Sequence, residues 1–247
     1  MWRVIPLEVH DAYLNMGIDE AVLESVRDNQ ADPTIRFYRW QPSAVSIGTF
    51  QSMKKEVNLE RCKELGIDYI RRITGGGAVY HDFAGEITYS VIAPLSCFPQ
   101  GIHESYGFIC NWIISGLKNA GIQASFAPIN DVLVDGKKIS GNAQTRKQGV
   151  LLQHGTVLYG LDVKKMFSVL NVSAEKISDK AIKTVEDRVT SISKCSSASM
   201  DEVYSALLKG FTEGKDYKLE GLSEEELNRA KELASNVYKT DAWNFSR

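Results

Sequence analysis

The sequence predicts an α/β fold in which helices cover a mixed β-sheet. Short runs rich in β-branched and aromatic residues alternate along the chain with longer stretches that carry apolar residues at helical spacing. The chain has 247 residues, 43% of them hydrophobic and 24% charged, which is enough for one sizeable core. Because no internal repeat or long linker divides it, we expect a single domain over residues 1–247.

The first half of the chain predicts a helix followed by a series of strands. Residues 11–28 carry apolar side chains on one helical face, and Asp11 is placed as the N-cap. The runs 34–40 and 44–48 are rich in aromatic and β-branched residues and flank a tight turn, so they predict two strands. The elements expected next are a short helix and two further strands, at 57–65, 67–74 and 86–93.

The second half predicts a covering helix, more strands and a helical end. Apolar residues at helical spacing over 104–120 predict a helix that ends at Gly121. Strands are expected at 131–135 and 150–152, joined through a glycine-punctuated segment. Ser223 begins a capping box with Glu226, which is typical of a helix start. We therefore expect a helical C-terminal segment at about 199–247.

The most informative stretch runs from Arg71 to Asp82, where Gly75, Gly76 and Gly77 follow two adjacent arginines. Glycine has no Cβ and tolerates positive φ, so its backbone N–H groups can approach phosphate or carboxylate oxygens closely. Side chains alternate across a strand, so one of the two arginines is expected to face that anion. A purely structural turn is the alternative, since the glycine spacing fits neither a Walker loop nor a dinucleotide fingerprint.

A second group of candidate residues follows the predicted covering helix. Lys137 and Lys138 should point to opposite faces of a strand, and the inward lysine could stabilise charge on a transferring phosphoryl or acyl group. Asp131 could hold Mg²⁺ or simply belong to a turn. His154 could orient a substrate or fill a hydrogen-bonded core position.

Composition excludes several classes of function. The net charge of −2 argues against bulk binding to nucleic acid or to an anionic membrane. The four cysteines are scattered without CxxC spacing, so neither a zinc site nor a disulfide framework is predicted. The N-terminal residues lack the apolar core of a signal peptide, and we expect a cytoplasmic protein.

Taken together, these motifs resemble the lipoate-protein ligase family in both order and spacing. The resemblance rests on the segment from Arg71 to Asp82, on Asn130-Asp131, on Lys137 to Ala143, and on His154-Gly-Thr156. It extends over nearly the whole chain, from Asn15 to Asn244. It implies the α/β fold of biotin and lipoate ligases, with a mixed sheet, packed helices and a ligand lying across the sheet.

The resemblance also implies an activity. Members of the family activate lipoate with ATP and Mg²⁺ to form lipoyl-AMP, and then pass the lipoyl group to a lysine of an acceptor domain. Lys138 is implied as the catalytic residue and Asp131 as the Mg²⁺ ligand. The residues implied to bind the nucleotide and lipoyl-AMP are Arg71, Gly75, Gly76, Gly77, Ala78, Val79, Lys138 and His154.

The implied partners are proteins that carry lipoyl groups. They are the lipoyl domains of 2-oxoacid dehydrogenase complexes or the H protein of glycine cleavage. Many family members carry a further C-terminal domain, for which this chain has no counterpart after Asn244. A separate accessory subunit is therefore a further expectation.

Related octanoyltransferases share the glycine-rich and Lys-x-x-Gly elements but use a cysteine thiolate in the loop before the lysine strand. The matching loop here, residues 123–131, contains no cysteine, which favours the ligase. An octanoyl or lipoyl transferase is the alternative enzyme, with Cys97 as its least implausible nucleophile. A non-catalytic lipoate-binding subunit is the alternative from another class.

Overall fold

The computed structural model describes residues 1–171 and 187–247, and an eight-stranded mixed sheet forms its centre. The strand order is β11-β1-β2-β6-β10-β9-β8-β7. β1 is parallel to β2 and β11, and the remaining neighbours are antiparallel. The strands of this sheet are β1 Trp2–His10, β2 Thr34–Trp40, β6 Glu86–Pro94, β7 Ser125–Ala127, β8 Asp131–Val134, β9 Lys137–Lys147, β10 Val150–Leu158 and β11 Tyr217–Leu219.

A smaller three-stranded sheet stands beside the large one. It has the order β4-β3-β5 and is formed by β3 Ala44–Ile47, β4 Asp68–Arg71 and β5 Val79–His81. The helices are α1 Ala12–Arg27, α2 Met53–Glu56, α3 Leu59–Leu65, α4 Ile102–Asn119, α5 Val163–Val169, α6 Ile192–Cys195, α7 Met200–Thr212, α8 Glu224–Leu233 and α9 Asp241–Asn244. The structure is therefore the mixed α/β fold that the sequence predicts.

Helices cover both faces of the large sheet because its central strands are apolar on both sides. Phe37 of β2 packs toward α4 and α7, whereas its neighbour Tyr38 packs toward α1 and α8. This change of face at each residue is the two-residue period of a strand. A third core, around Ile47 and Cys62, fills the space between the small sheet and its own helices.

Several local expectations hold in the structure. Asp11 caps α1 by accepting a hydrogen bond from the backbone N–H of Leu14 at 2.8 Å. Gly121 follows α4 with a φ of +77°, a conformation that glycine adopts without a Cβ clash. Ser223 and Glu226 form the reciprocal capping box at the start of α8. Among the described residues, no helix is long and apolar enough to cross a membrane.

Other expectations differ from the structure. The strand expected over 67–74 ends at Arg71, because Arg72 turns its side chain onto the following loop. The segment after Gly136 is itself an eleven-residue strand, β9, rather than a connection. The C-terminal segment is mostly helical but also contributes β11, a short edge strand paired with β1, which its sequence pattern did not reveal.

Arg71 ties the C-terminal segment to the small sheet. Its side chain is almost wholly buried, and its guanidinium donates to the backbone carbonyls of Thr49, Gln51, Trp243 and Asn244 at 2.6–3.0 Å. The Trp243 indole N–H donates in return to the Arg71 carbonyl at 2.7 Å. One cation thus satisfies carbonyls from two segments that are distant in sequence.

We expect Arg71→Lys to lower the free energy of unfolding by about 3 kcal/mol, because a single ammonium cannot reach carbonyls on both segments. Urea denaturation measures the change. Arg61→Lys is the matched control, since the exposed Arg61 side chain pairs with Glu64 alone among the described residues, and it should change stability by less than about 0.5 kcal/mol. Equal effects of the two substitutions would contradict this assignment.

Candidate active site

A pocket of about 330 Å³ lies between the large and small sheets. Its apolar wall consists mainly of aromatic and aliphatic side chains, namely Met16, Tyr38, Trp40, Tyr80, Leu158, Leu161, Met166 and Leu170. Its polar wall contains Ser46, Arg72, His81, Asn130, Lys138, Asn142 and His154. An apolar cavity with a few convergent polar groups is the usual form of a small-ligand site.

Residues 73–78, here called the glycine loop, form one edge of this pocket. Arg72 Nη2 donates to the carbonyls of Gly75 and Gly77, both at 2.8 Å, and so folds the loop around its own guanidinium. Gly76 has a φ of +99°, which side-chain-bearing residues rarely adopt. A Cβ on Gly48 would collide with the Gly76 carbonyl, so the preceding loop also packs backbone against backbone. Glycine is therefore required at Gly76 by its positive φ, and at Gly48 by the close approach of the two backbones.

Ser46, His81 and Glu86 form a chain of hydrogen bonds that ends at Arg72. Ser46 Oγ lies 2.8 Å from His81 Nε2, and His81 Nδ1 lies 2.7 Å from Glu86 Oε1. Arg72 Nη1 donates to the Ser46 hydroxyl at 3.1 Å. The His81 ring also stacks on Trp40 with 4.1 Å between ring centroids. We call Ser46, His81 and Glu86 the Ser46 relay.

A second chain of hydrogen bonds, from Asp19 through His154 to Thr74, also ends at Arg72. Thr74 Oγ1 lies 2.7 Å from His154 Nε2, and His154 Nδ1 lies 3.2 Å from Asp19 Oδ2. Arg72 Nε donates to Thr74 Oγ1 at 3.1 Å. We call Thr74, His154 and Asp19 the Thr74 relay. Both relays are buried, and both end on the same guanidinium.

The carboxylate of Asp19 is the charged centre of the second relay. Burial opposes its ionisation, but hydrogen bonds from His154 and Ser90 and the positive charge of Arg36 outweigh that effect and lower the pKa of Asp19. Arg36 Nη1 lies 3.0 Å from Asp19 Oδ1. Burial in turn lowers the pKa of His154, so its imidazole is neutral at pH 7.

Lys138 lies on β9 and points into the pocket, as expected for one of the two adjacent lysines. Its Nζ lies 2.7 Å from Asp131 Oδ1 on the neighbouring strand β8, and both side chains are about one-third exposed. Asp131 therefore holds the ammonium in place at the mouth of the pocket. An ammonium so placed can stabilise negative charge on a carbonyl oxygen.

The structure brings most of the candidate residues to this one pocket. Those that line it are Gly76, Gly77, Ala78, Val79, Lys138 and His154. Gly75 adjoins the pocket and contributes its carbonyl to Arg72, and Asp131 contacts Lys138. Arg71 lies elsewhere, on the opposite side of β4, where backbone carbonyls occupy its guanidinium. The arginine that lines the pocket is Arg72, whereas the resemblance implied Arg71; the alternation of side chains on a strand left open which of the two would face the ligand.

Sequence reasoning also missed the contribution of Asn142. Its side chain lines the pocket, accepts from the Tyr89 hydroxyl at 2.7 Å and donates to the Asn130 carbonyl at 2.8 Å. The Asn130 side chain returns the contact by donating to the Asn142 carbonyl. The sequence shows the Lys-x-x-Gly-Asn spacing, but the hydrogen-bond partners of Asn142 lie on β6 and in the loop before β8, which no local pattern connects to it.

The cysteines of the chain contribute no thiol to the pocket wall among the described residues. Cys110 lies behind the pocket wall, with its Sγ 3.4 Å from the side-chain nitrogen of Asn142, and burial together with the charge of Asp131 raises its pKa to about 12. Cys97 ends a short 3₁₀ turn outside the pocket lining, and burial raises its pKa as well. Neither thiol is activated in this arrangement.

Comparison with known proteins identifies the family. Residues 11–212 match the model of the lipoyl protein ligase A/B catalytic domain. The chain belongs to this family. It is 36% identical to the octanoyltransferase LipM of Brevibacillus brevis and 34% identical to LipM of Bacillus subtilis. Both alignments cover 100% of this chain, together with 99% and 98% of the respective relatives.

Solved structures of the family superpose on nearly the whole chain. The bipartite lipoate protein ligase of the archaeon Thermoplasma acidophilum, described with its E2 lipoyl domain, has a TM-score of 0.88 at 32% identity. The match covers 98% of this chain and 95% of that one. A lipoate-protein ligase A bound with ATP has a TM-score of 0.84 at 29% identity and covers 98% of each chain. These matches confirm the biotin and lipoate ligase fold.

The comparisons correct the expectation of an ATP-dependent lipoate ligase. The curated relatives that span the entire chain are named octanoyltransferases, which agrees with the alternative enzyme instead. Their names give no support for ATP or Mg²⁺. The residues present do not fit a resident metal either: Asp131 pairs with Lys138, and residues 1–171 and 187–247 contain no group of three or more His, Cys, Asp or Glu that could hold one.

We expect the glycines of the loop to differ in their tolerance of a side chain. Gly76→Ala should lower the free energy of unfolding by about 1–2 kcal/mol, because φ is positive and the new Cβ would lie 2.8 Å from Arg72 Nη2. Gly75→Ala is the matched control, since a Cβ there meets nothing within 4 Å. Thermal and urea unfolding compare the two variants, and equal losses would contradict the geometry.

We expect stability to fall as the pH decreases from about 7 to 5. The pKa of His154 lies below its unfolded value of about 6.5, so the unfolded state takes up a proton that the folded state excludes, at a cost of up to about 1.4 kcal/mol per pH unit. Urea denaturation at both pH values should show a smaller decrease for His154→Gln. The exposed His103 offers the control, and a decrease lost in His103→Gln instead would refute the assignment.

Proposed function

We propose that this chain transfers an octanoyl or lipoyl group from an acylated carrier protein to a lysine of a lipoyl-domain acceptor. The observation that carries the proposal is the agreement along the full chain with proteins named octanoyltransferases. The pocket supports it, because an apolar wall suited to an alkyl chain faces a lysine at the mouth. The roles of the site residues and the identity of the substrates are proposed together with this reaction.

In this proposal the acyl chain occupies the apolar side of the pocket, and its carbonyl lies near Lys138. The ammonium, held by Asp131 at 2.7 Å, stabilises the negative charge that develops on the carbonyl oxygen as the tetrahedral intermediate forms. Because Asp131 orients the ammonium before substrate arrives, little of that stabilisation is spent on reorganisation. Lys138 is the proposed catalytic residue.

The proposed attacking group is the acceptor's own amine. The neutral amine of the acceptor lysine attacks the carbonyl carbon of the carrier thioester, a C–N bond forms, and the C–S bond breaks. The proton lost from nitrogen ends on the departing thiolate, and the products are an amide and a free carrier thiol. The thiol of Cys110 is buried behind Asn142 with a raised pKa, which supports direct attack over a cysteinyl intermediate.

The proposed acceptors are lipoyl domains of 2-oxoacid dehydrogenase complexes or the H protein of glycine cleavage. The separate accessory subunit stays a prediction. The cytoplasmic location likewise stays a prediction. A single catalytic domain over residues 1–247 is part of the same proposal.

The test is to incubate the protein with an octanoyl-loaded carrier protein and an unmodified lipoyl domain, and to follow the acceptor by intact mass. We expect octanoylation without ATP, and a loss of about 100-fold or more in kcat for Lys138→Ala, the size typical of removing one charge-stabilising donor. Lys147→Ala is the control on the same strand, since Lys147 is exposed outside the pocket lining.

Parallel reactions with free octanoate or lipoate and Mg-ATP complete the design. Acceptor modification that needs ATP and the free acid, with none from the loaded carrier, would overturn the proposed function. Binding of the acid without modification of any acceptor would instead favour a binding subunit.

A further inference from the structure

Arg72 is a buried cation that no carboxylate neutralises among the described residues. Arg72 is 5% exposed, and none of the ion pairs in residues 1–171 and 187–247 includes it. Burial lowers its pKa to about 10, which reflects the cost of desolvating this charge. A buried guanidinium is tolerated only when hydrogen bonds occupy its N–H groups.

Neutral acceptors provide those hydrogen bonds. Nε donates to Thr74 Oγ1, Nη1 donates to the carbonyl and hydroxyl of Ser46, and Nη2 donates to the carbonyls of Gly75 and Gly77. The five distances lie between 2.8 and 3.2 Å. Two of the acceptors are side-chain hydroxyls, and two are backbone carbonyls of the glycine loop. The position of the guanidinium therefore fixes the orientation of the loop.

The hydroxyls present lone pairs to Arg72 because of the groups behind them. In each relay a carboxylate accepts from Nδ1, which places the imidazole proton on Nδ1 and leaves Nε2 as an acceptor. The hydroxyl then donates to Nε2 and keeps its lone pairs for Arg72. Glu86 Oε1 also accepts from Thr88 Oγ1 at 2.8 Å, which agrees with this direction of donation.

We propose that the Ser46 relay and the Thr74 relay consist of positioning residues that hold Arg72, and through it the glycine loop, in the form that completes the pocket. The two carboxylates fix the imidazoles, the imidazoles fix the hydroxyls, and the hydroxyls and loop carbonyls fix the guanidinium. The loop backbone at Gly76 and Gly77, which lines the pocket, is then held ready for the polar end of a ligand.

This inference rests on the proposed function for its kinetic readout, but its structural readout is independent of turnover. In the wild-type protein, ¹⁵N NMR of the imidazoles should show a proton on Nδ1 and an acceptor Nε2 in both His81 and His154. The Nε–H of Arg72 should give a resolved, slowly exchanging signal. An Nε2–H tautomer at either histidine would overturn the proposal.

Two matched pairs of variants test the same proposal by function. Thr74→Val keeps the shape and removes the hydroxyl, and we expect it to shift the Arg72 Nε–H signal and reduce kcat at least about tenfold, with a much smaller change in KM. Thr74→Ser keeps the hydroxyl and should show the wild-type Arg72 Nε–H signal and the wild-type kcat. Ser46→Ala should reduce kcat in the same way, and Thr145→Val, on β9 outside the pocket lining, should leave kcat unchanged.

The outcomes separate this inference from the proposed function. Unchanged kcat and an unchanged Arg72 signal in Thr74→Val would overturn it, as would a fall in kcat that Thr74→Ser does not restore. An octanoyl ester trapped on Ser46 and identified by peptide mass spectrometry would also overturn it, because Ser46 would then be a nucleophile. Failure of the wild type to acylate any acceptor would count against the proposed function alone, since the NMR readout needs no turnover.

Discussion

The site depends on two adjacent arginines at the end of β4, whose side chains bind different segments. Arg71 binds carbonyls of the C-terminal segment and of the loop after β3, whereas Arg72 binds carbonyls of the glycine loop. Both are buried, so both exchange hydration for a nearly complete set of hydrogen bonds. Their joint effect is to fix the backbone around one edge of the pocket, which glycine residues alone would leave free to move.

The large sheet and α1 provide the remaining charged groups of the site. Asp19, ionised in the core beside Arg36, determines the tautomer of His154, while Lys138 stays near solvent beside Asp131. The charges of Asp19 and Arg36 are thus buried, whereas the charge of Lys138 lies at the mouth of the pocket. This separation suits a substrate with an alkyl chain at one end and a reactive carbonyl at the other.

The correction from ligase to transferase has a chemical reason. Activation of an acid and transfer of an existing acyl group both develop negative charge at the reacting carbonyl group, which a fixed cation and backbone N–H groups can stabilise. A lysine such as Lys138 beside a glycine-rich segment such as Gly75–Val79 fits either reaction, so this arrangement indicates the family and not the branch. Agreement along the whole chain with octanoyltransferases is what separates the two.

The sequence by itself determined the α/β class, the bounds of α1, the start of α8, the family, and two segments that line the pocket, namely the glycine loop and the start of β9, because these depend on local periodicity, capping and motif spacing. Only the tertiary structure decided that Arg72 and not Arg71 lines the pocket, that β11 joins the sheet edge, and that two histidine relays meet on one guanidinium. Those outcomes join residues far apart in the chain, such as Asp19 with His154, and no local pattern encodes which of two neighbouring arginines will meet them.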